Sequence, residues 1–129
     1  MLSEQTGDSP LDAIVPVARH SELLDAIAAA REVFVEESVT RYVVAVLQHT
    51  RANRHLALGA SPRSGIALLR LAKARALVER REYVTPEDIG GLAEHVLCHR
   101  LMLAPEARSS GITPADVVRQ AIEGTPVPV

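Results

Sequence analysis

Between positions 37 and 52 the apolar residues Val39, Tyr42, Val43, Val46 and Leu47 recur at intervals of three and four, the stripe of an amphipathic helix with one buried face. Leu23, Leu24, Ile27 and Ala28 give a comparable face to a helix from about Ser21 to Arg31. From Ser61 through Arg81 the pattern changes. Leu68, Leu69, Leu71, Ala72, Ala76 and Val78 cover most of the helix circumference, as expected of a helix at the centre of a packed domain. Ile89, Leu92, Ala93, Val96 and Leu97 predict a further helix to about Arg100, despite the weakening Gly90-Gly91 pair, and a last one ends near Glu123.

Polar residues mark where these helices begin. Thr85-Pro86-Glu87-Asp88 combines an N-cap, a proline suited to the first helical position and two acids in the first turn. Thr113-Pro114-Ala115-Asp116 repeats that logic, although no solenoid period accompanies it. Leu11 to Val15 reads as a short turn ended by Pro16. Val33-Phe34-Val35 is β-branched and aromatic and is expected to pair with Glu82-Tyr83-Val84 as a very short two-stranded ribbon. Residues 53–59 read as a polar loop, and the Pro-rich tail 124–129 as extended. Residues 1–9, polar and aperiodic, are expected to be a disordered leader or cloning remnant. The fold class is therefore all-α, a small bundle of about five helices over residues 10–129 with one short ribbon.

Composition supports this picture. The 129 residues suffice for one domain with a real core, and only Phe34, Tyr42 and Tyr83 are aromatic, so Leu, Val, Ile and Ala must fill it. No apolar run approaches the ~20 residues that span a bilayer, and the start lacks the basic and apolar regions of a signal peptide. No membrane partner is expected, and a cytoplasmic location is. The lone Cys98 fits a reducing compartment. A net charge of −2 gives no global field for nucleic acid, so none is expected as a partner. Of the 14 basic residues only Lys73 is a lysine, a bias best explained by genome composition.

Candidate chemistry gathers at Gly59-Ala60-Ser61-Pro62-Arg63. Ser61 can cap the helix, Pro62 suits its first position, and Arg63 then sits among unpaired backbone N–H groups, where dipole and guanidinium together attract an anion. An ordinary helix start with a solvated arginine fits the same residues. On this helix Arg63, Arg70 and Arg81 project at similar angles beside Ile66, Ala74 and Leu77. Such a stripe is either the solvated side or a contact with something polar outside the domain.

Catalytic machinery is missing. The phosphate loop of P-loop enzymes needs a glycine-rich turn ending in Lys-Ser/Thr, whereas Lys73 lies in mid-helix with no such turn before it. Val33 to Glu37 imitates an apolar strand with an acidic pair, but without that loop it reads as a strand entering an acidic helix start. His95 and His99 are one helical turn apart, yet two ligands do not make a zinc site, and no metal is expected. Nothing in sequence marks Cys98 as activated.

Thr50-Arg51, Leu58-Gly59-Ala60-Ser61-Pro62-Arg63, Leu68-Leu69-Arg70, Ala72-Lys73-Ala74, Tyr83-Val84-Thr85-Pro86-Glu87-Asp88 and His99-Arg100-Leu101 together resemble the C-terminal helical lid of MoxR-type AAA+ ATPases over about residues 10–128. The resemblance implies a lid whose nucleotide-binding core is absent from this chain, so the chain alone is not expected to be an enzyme. It implies that Arg63 is the sensor 2 arginine, reaching the γ-phosphate of ATP on that core, with Ser61 and Pro62 as its mount and Arg70 in support. It leaves His99 and Arg100 with a packing, intersubunit or nucleotide role. ATP with Mg, bound mainly by the core, is the implied cofactor. The implied partners are the AAA+ core of the same polypeptide, neighbouring subunits of a chaperone-like hexamer and von Willebrand factor A domain proteins. The competing expectation is a stand-alone helical adaptor or a helical DNA-binding domain, which a salt-dependent DNA titration would reveal.

Overall fold

The computed structural model describes residues 13–128. Six α-helices account for most of it: α1 (His20–Glu32), α2 (Glu37–Ala52), α3 (Pro62–Val78), α4 (Pro86–Leu97), α5 (Pro105–Ser109) and α6 (Pro114–Glu123). A 3-10 turn, Cys98–Arg100, continues α4. The expected small all-α bundle is the observed one. The leader expected over residues 1–9, and part of the turn expected from Leu11, lie outside the described residues.

Helix α3 is the central element, packing against α1, α2 and α4, while α6 closes the far side against α2 and α4. Small residues permit this: Ser64, Gly65, Ala72 and Ala76 are buried along α3, with Leu68 among them. A Cβ at Gly65 would come within 2.7 Å of the end of the Leu47 side chain, so glycine here lets α2 approach without displacing that leucine. The α2 stripe Val39, Tyr42, Val43, Val46 and Leu47 is buried as its spacing predicts. Ile89, Ala93, Val96 and Leu97 of α4 complete the core with Val117, Val118 and Ala121 of α6.

The capping signals hold. Thr85 and Asp88 form a reciprocal capping box at α4, and Thr113 and Asp116 form another at α6. Other expectations change. Helix α3 stops at Val78, because Arg80 adopts φ 58° and the N–H groups of Arg80 and Arg81 donate back to Leu77 and Ala76 carbonyls, a Schellman ending with arginine where glycine is favoured. Although α1 forms where expected, none of its residues is buried, and Leu23, Leu24 and Ile27 are 57%, 51% and 43% exposed. Its periodicity is helical, but the described residues leave that face largely uncovered.

The expected ribbon shrinks to one parallel bridge, Phe34 with Tyr83, in which Phe34 donates to Glu82 O and accepts from Val84 N–H. Val33 and Val84, on either side of that bridge, bury their side chains in the core. The two-stranded sheet lies elsewhere. Strand β1 (Leu56–Leu58), within the stretch expected to be a polar loop, pairs antiparallel with β2 (Met102–Leu103), matching Leu56 to Leu103 and Leu58 to Met102. Ala104 N–H donates to His55 O and extends the tie.

Candidate functional site

The residues that hold Arg63 are fixed by buried hydrogen bonds. Thr50, fully buried on α2, donates its hydroxyl to Leu47 O at 2.7 Å and accepts from Ala60 N–H at 3.0 Å. Arg51 Nε donates to Ala60 O at 2.7 Å, so both main-chain groups of Ala60 are held by adjacent residues of α2. Gly59 is required there, since a Cβ would lie 2.7 Å from Arg51 Cα, and backbone cannot yield as a side chain does. Ser61 then caps α3 by accepting from Ser64 N–H at 3.3 Å, and Pro62 takes the first helical position. Arg63 follows in the first turn with its side chain exposed.

Two turns further along α3, Arg70 faces the same way, and the structure adds Arg100 from the 3-10 turn. Arg63, Arg70 and Arg100 border one open depression of about 520 Å³, floored by Ile66, Ala67, Leu71 and Ala74, with no carboxylate among its lining residues. Among the described residues, neither Arg63 nor Arg70 has an ion-pair partner. Arg100 Nε donates to the ring nitrogen Nε2 of His99 at 3.0 Å, a neutral acceptor that leaves the guanidinium charge uncompensated. An anion in this depression would relieve the repulsion among three like charges and pair them over an apolar floor. Sequence reading placed Arg63 and Arg70 together but not Arg100. The sheet makes that connection, because β1 runs into the Arg63 loop and β2 leads out of the turn that carries His99 and Arg100.

Arg81 does not belong to this face. Beyond the Schellman ending it turns to Asp88, and its two terminal nitrogens each donate to a carboxylate oxygen at 2.8 Å. It also donates to Tyr83 O at 2.9 Å and to Glu79 at 2.6 Å. Arg75 joins from α3, 2.9 Å from Glu79 and 3.5 Å from Asp88. Burial pushes the Asp88 carboxyl up, but the Arg81 hydrogen bonds and the Thr85 N–H outweigh it and hold the group below the usual carboxylate range. Hydrogen bonds from Arg81 and then Arg75 likewise lower Glu79.

His95 lies on α4 while His99 lies in the 3-10 turn. No three His, Cys, Asp or Glu side chains among the described residues gather as a metal-binding group would. Burial and the nearby Glu94 push the Cys98 thiol up, which makes it a poor nucleophile near neutral pH. No helix among the described residues is long and apolar enough to cross a membrane.

The family model of the AAA lid domain matches residues 48–121, which span the Arg63 mount and all three arginines of the depression. Chaperone MoxR1 of Mycobacterium tuberculosis is 34% identical over 104 residues, covering 74% of this chain and 28% of that protein. The chain belongs to the AAA lid domains of MoxR type. The lid is also 37% identical to protein YeaC of Bacillus subtilis over its full 129 residues, which amount to 40% of YeaC. A crystal structure of a candidate ATPase from Cytophaga hutchinsonii superposes with a TM-score of 0.81 at 29% identity, covering 84% of the lid and 36% of that chain. The chain thus spans well under half the length of each of these proteins.

Proposed function

We propose that this lid, taken as residues 10–129, completes an ATP site whose other wall is a nucleotide-binding AAA+ core, with Arg63 acting as the sensor 2 arginine. The observation that carries the reading is the Arg63 side chain itself: mounted on a capped first turn, exposed, and facing a depression with no carboxylate among its lining residues. A guanidinium so placed suits the γ-phosphate, whose oxygens gather charge during phosphoryl transfer. The lid residues hold the phosphate end. Mg²⁺ accompanying ATP belongs to the core, since the depression offers no oxygen ligands from carboxylates. Contact with the γ-phosphate in one state and its loss in the other gives lid and core a differential interaction, so that hydrolysis moves the lid. A cytoplasmic, chaperone-like hexamer that engages von Willebrand factor A domain proteins is the assembly in which we place this movement.

In a polypeptide containing both core and lid, Arg63→Ala should lower ATP turnover about a hundredfold, the size expected for loss of one positioned charge donor. Unaltered turnover in that variant would remove the proposed role. The chain by itself should bind ATP weakly and show no hydrolysis.

A further inference from the structure

The same depression carries more than one arginine needs. Its third side, the 3-10 turn, brings Arg100 opposite α3, and the chemistry of Arg100 differs from that of Arg81 in a way that matters for ligand binding. Arg81 spends both terminal nitrogens on carboxylates. Arg100 spends only Nε, on a neutral ring nitrogen, so among the described residues its two terminal amino groups have no partner and its positive charge is intact. A hydrogen bond through Nε also restrains the guanidinium plane, which lowers the entropy lost when its remaining donors engage a ligand.

We propose that Arg100, positioned by His99, joins Arg63 and Arg70 in binding a chain of linked phosphoryl groups, making the depression a polyphosphate clamp. This inference rests on the reading of Arg63 as a phosphate-binding residue and extends it to a ligand with several phosphoryl groups, such as a nucleoside triphosphate or a free condensed phosphate. The arrangement favours a chain over a lone phosphate. Arg63 and Arg70 stand two helical turns apart on α3, about 10 Å at 1.5 Å per residue, and Arg100 lines the same depression from the 3-10 turn, so three guanidiniums are available to a chain whose successive phosphoryl groups each carry charge. The about 520 Å³ of open space lies in the range of small-molecule sites, and its apolar floor of Ile66, Ala67, Leu71 and Ala74 has no acidic group to repel an anion.

The test uses this chain and inorganic tripolyphosphate, with orthophosphate for comparison, and follows the arginine Nε–H resonances by NMR. Tripolyphosphate should shift the signals of Arg63, Arg70 and Arg100 together, bind more tightly than orthophosphate, and weaken as salt rises. Arg100→Ala should lower tripolyphosphate affinity about fivefold to tenfold, as for loss of a charge-assisted hydrogen-bonding group. His99→Ala should weaken binding as well, whereas His99→Gln, which keeps a hydrogen-bond acceptor, should restore most of it. Unchanged thermal unfolding of these variants excludes loss of fold as the cause. If only the Arg63 signal moves and Arg100→Ala binds as the parent does, the clamp is overturned while the γ-phosphate reading stands. If none of the three moves, the clamp is overturned, and the turnover of Arg63→Ala in a core-containing protein still decides the γ-phosphate reading. Equal affinity for orthophosphate and tripolyphosphate also overturns it.

Discussion

Arg63 and Arg81 stand at opposite ends of α3, and their surroundings are opposite too. Arg81 is 23% exposed and holds a carboxylate that is itself 3% exposed, with Glu79 and Arg75 around it. Arg63 is exposed and faces Arg70 and Arg100 across an apolar floor. One arginine is consumed in joining the end of α3 to the start of α4. The other is held out by a rigid mount and left with its charge. The chemical type of a residue therefore says little about its use here; what decides is whether the fold supplies the counter-charge.

The contrast predicts stability effects of decreasing size. Asp88→Ala removes the partner of Arg81 and the cap of Thr85 N–H together, and should cost about 3 kcal/mol in urea unfolding, as for a broken, largely buried ion pair. A loss under 1 kcal/mol would mean the pair is not structural. Gly59→Ala should cost about 2 kcal/mol, because its Cβ meets the Arg51 backbone. It should also disturb phosphate binding, since it displaces the mount of Arg63. Arg80→Gly relieves the left-handed backbone and should stabilise the lid by about 0.5–1 kcal/mol, read as a raised Tm. Arg63→Ala should change stability by less than about 0.5 kcal/mol, the range of surface substitutions, while abolishing its functional contribution.

Acid should distinguish the two ends as well. The folded Asp88 carboxyl titrates below its unfolded counterpart, so its contribution is complete above the ordinary carboxylate pKa of about 4 and is lost as pH falls through the lower folded value. Stability of the parent should therefore decline on acidification in that window, and Asp88→Asn should flatten the decline. Arg63→Ala should leave the pH profile of stability as it is.

How much of this was legible in the sequence follows from the range of each interaction. The caps at Ser61, Thr85 and Thr113 could be read because each involves residues only a few positions apart. The α2 stripe could be read because one face of a regular helix has one period. Helix α5 was overlooked, although Pro105 at its first position was a usable signal. The fate of Arg81 could not be read from helical angles, since the Schellman ending at Arg80 breaks the helix before it. Nor could the exposure of Leu23, Leu24 and Ile27, which depends on what else the domain brings to α1. At the candidate site the mount of Arg63 was visible as a motif, whereas Arg100 reached the depression through a pairing between residues far apart in sequence.

That pairing has a consequence for how the site can change. Main-chain hydrogen bonds between β1 and β2 tie the loop that leads to Arg63 to the turn that carries Arg100, and the side chains on the rim of the depression take no part in them. Charge can be added to or removed from either rim without breaking that tie. The lid thus keeps the tie in the backbone and its ligand preference in the side chains, and the two can drift independently.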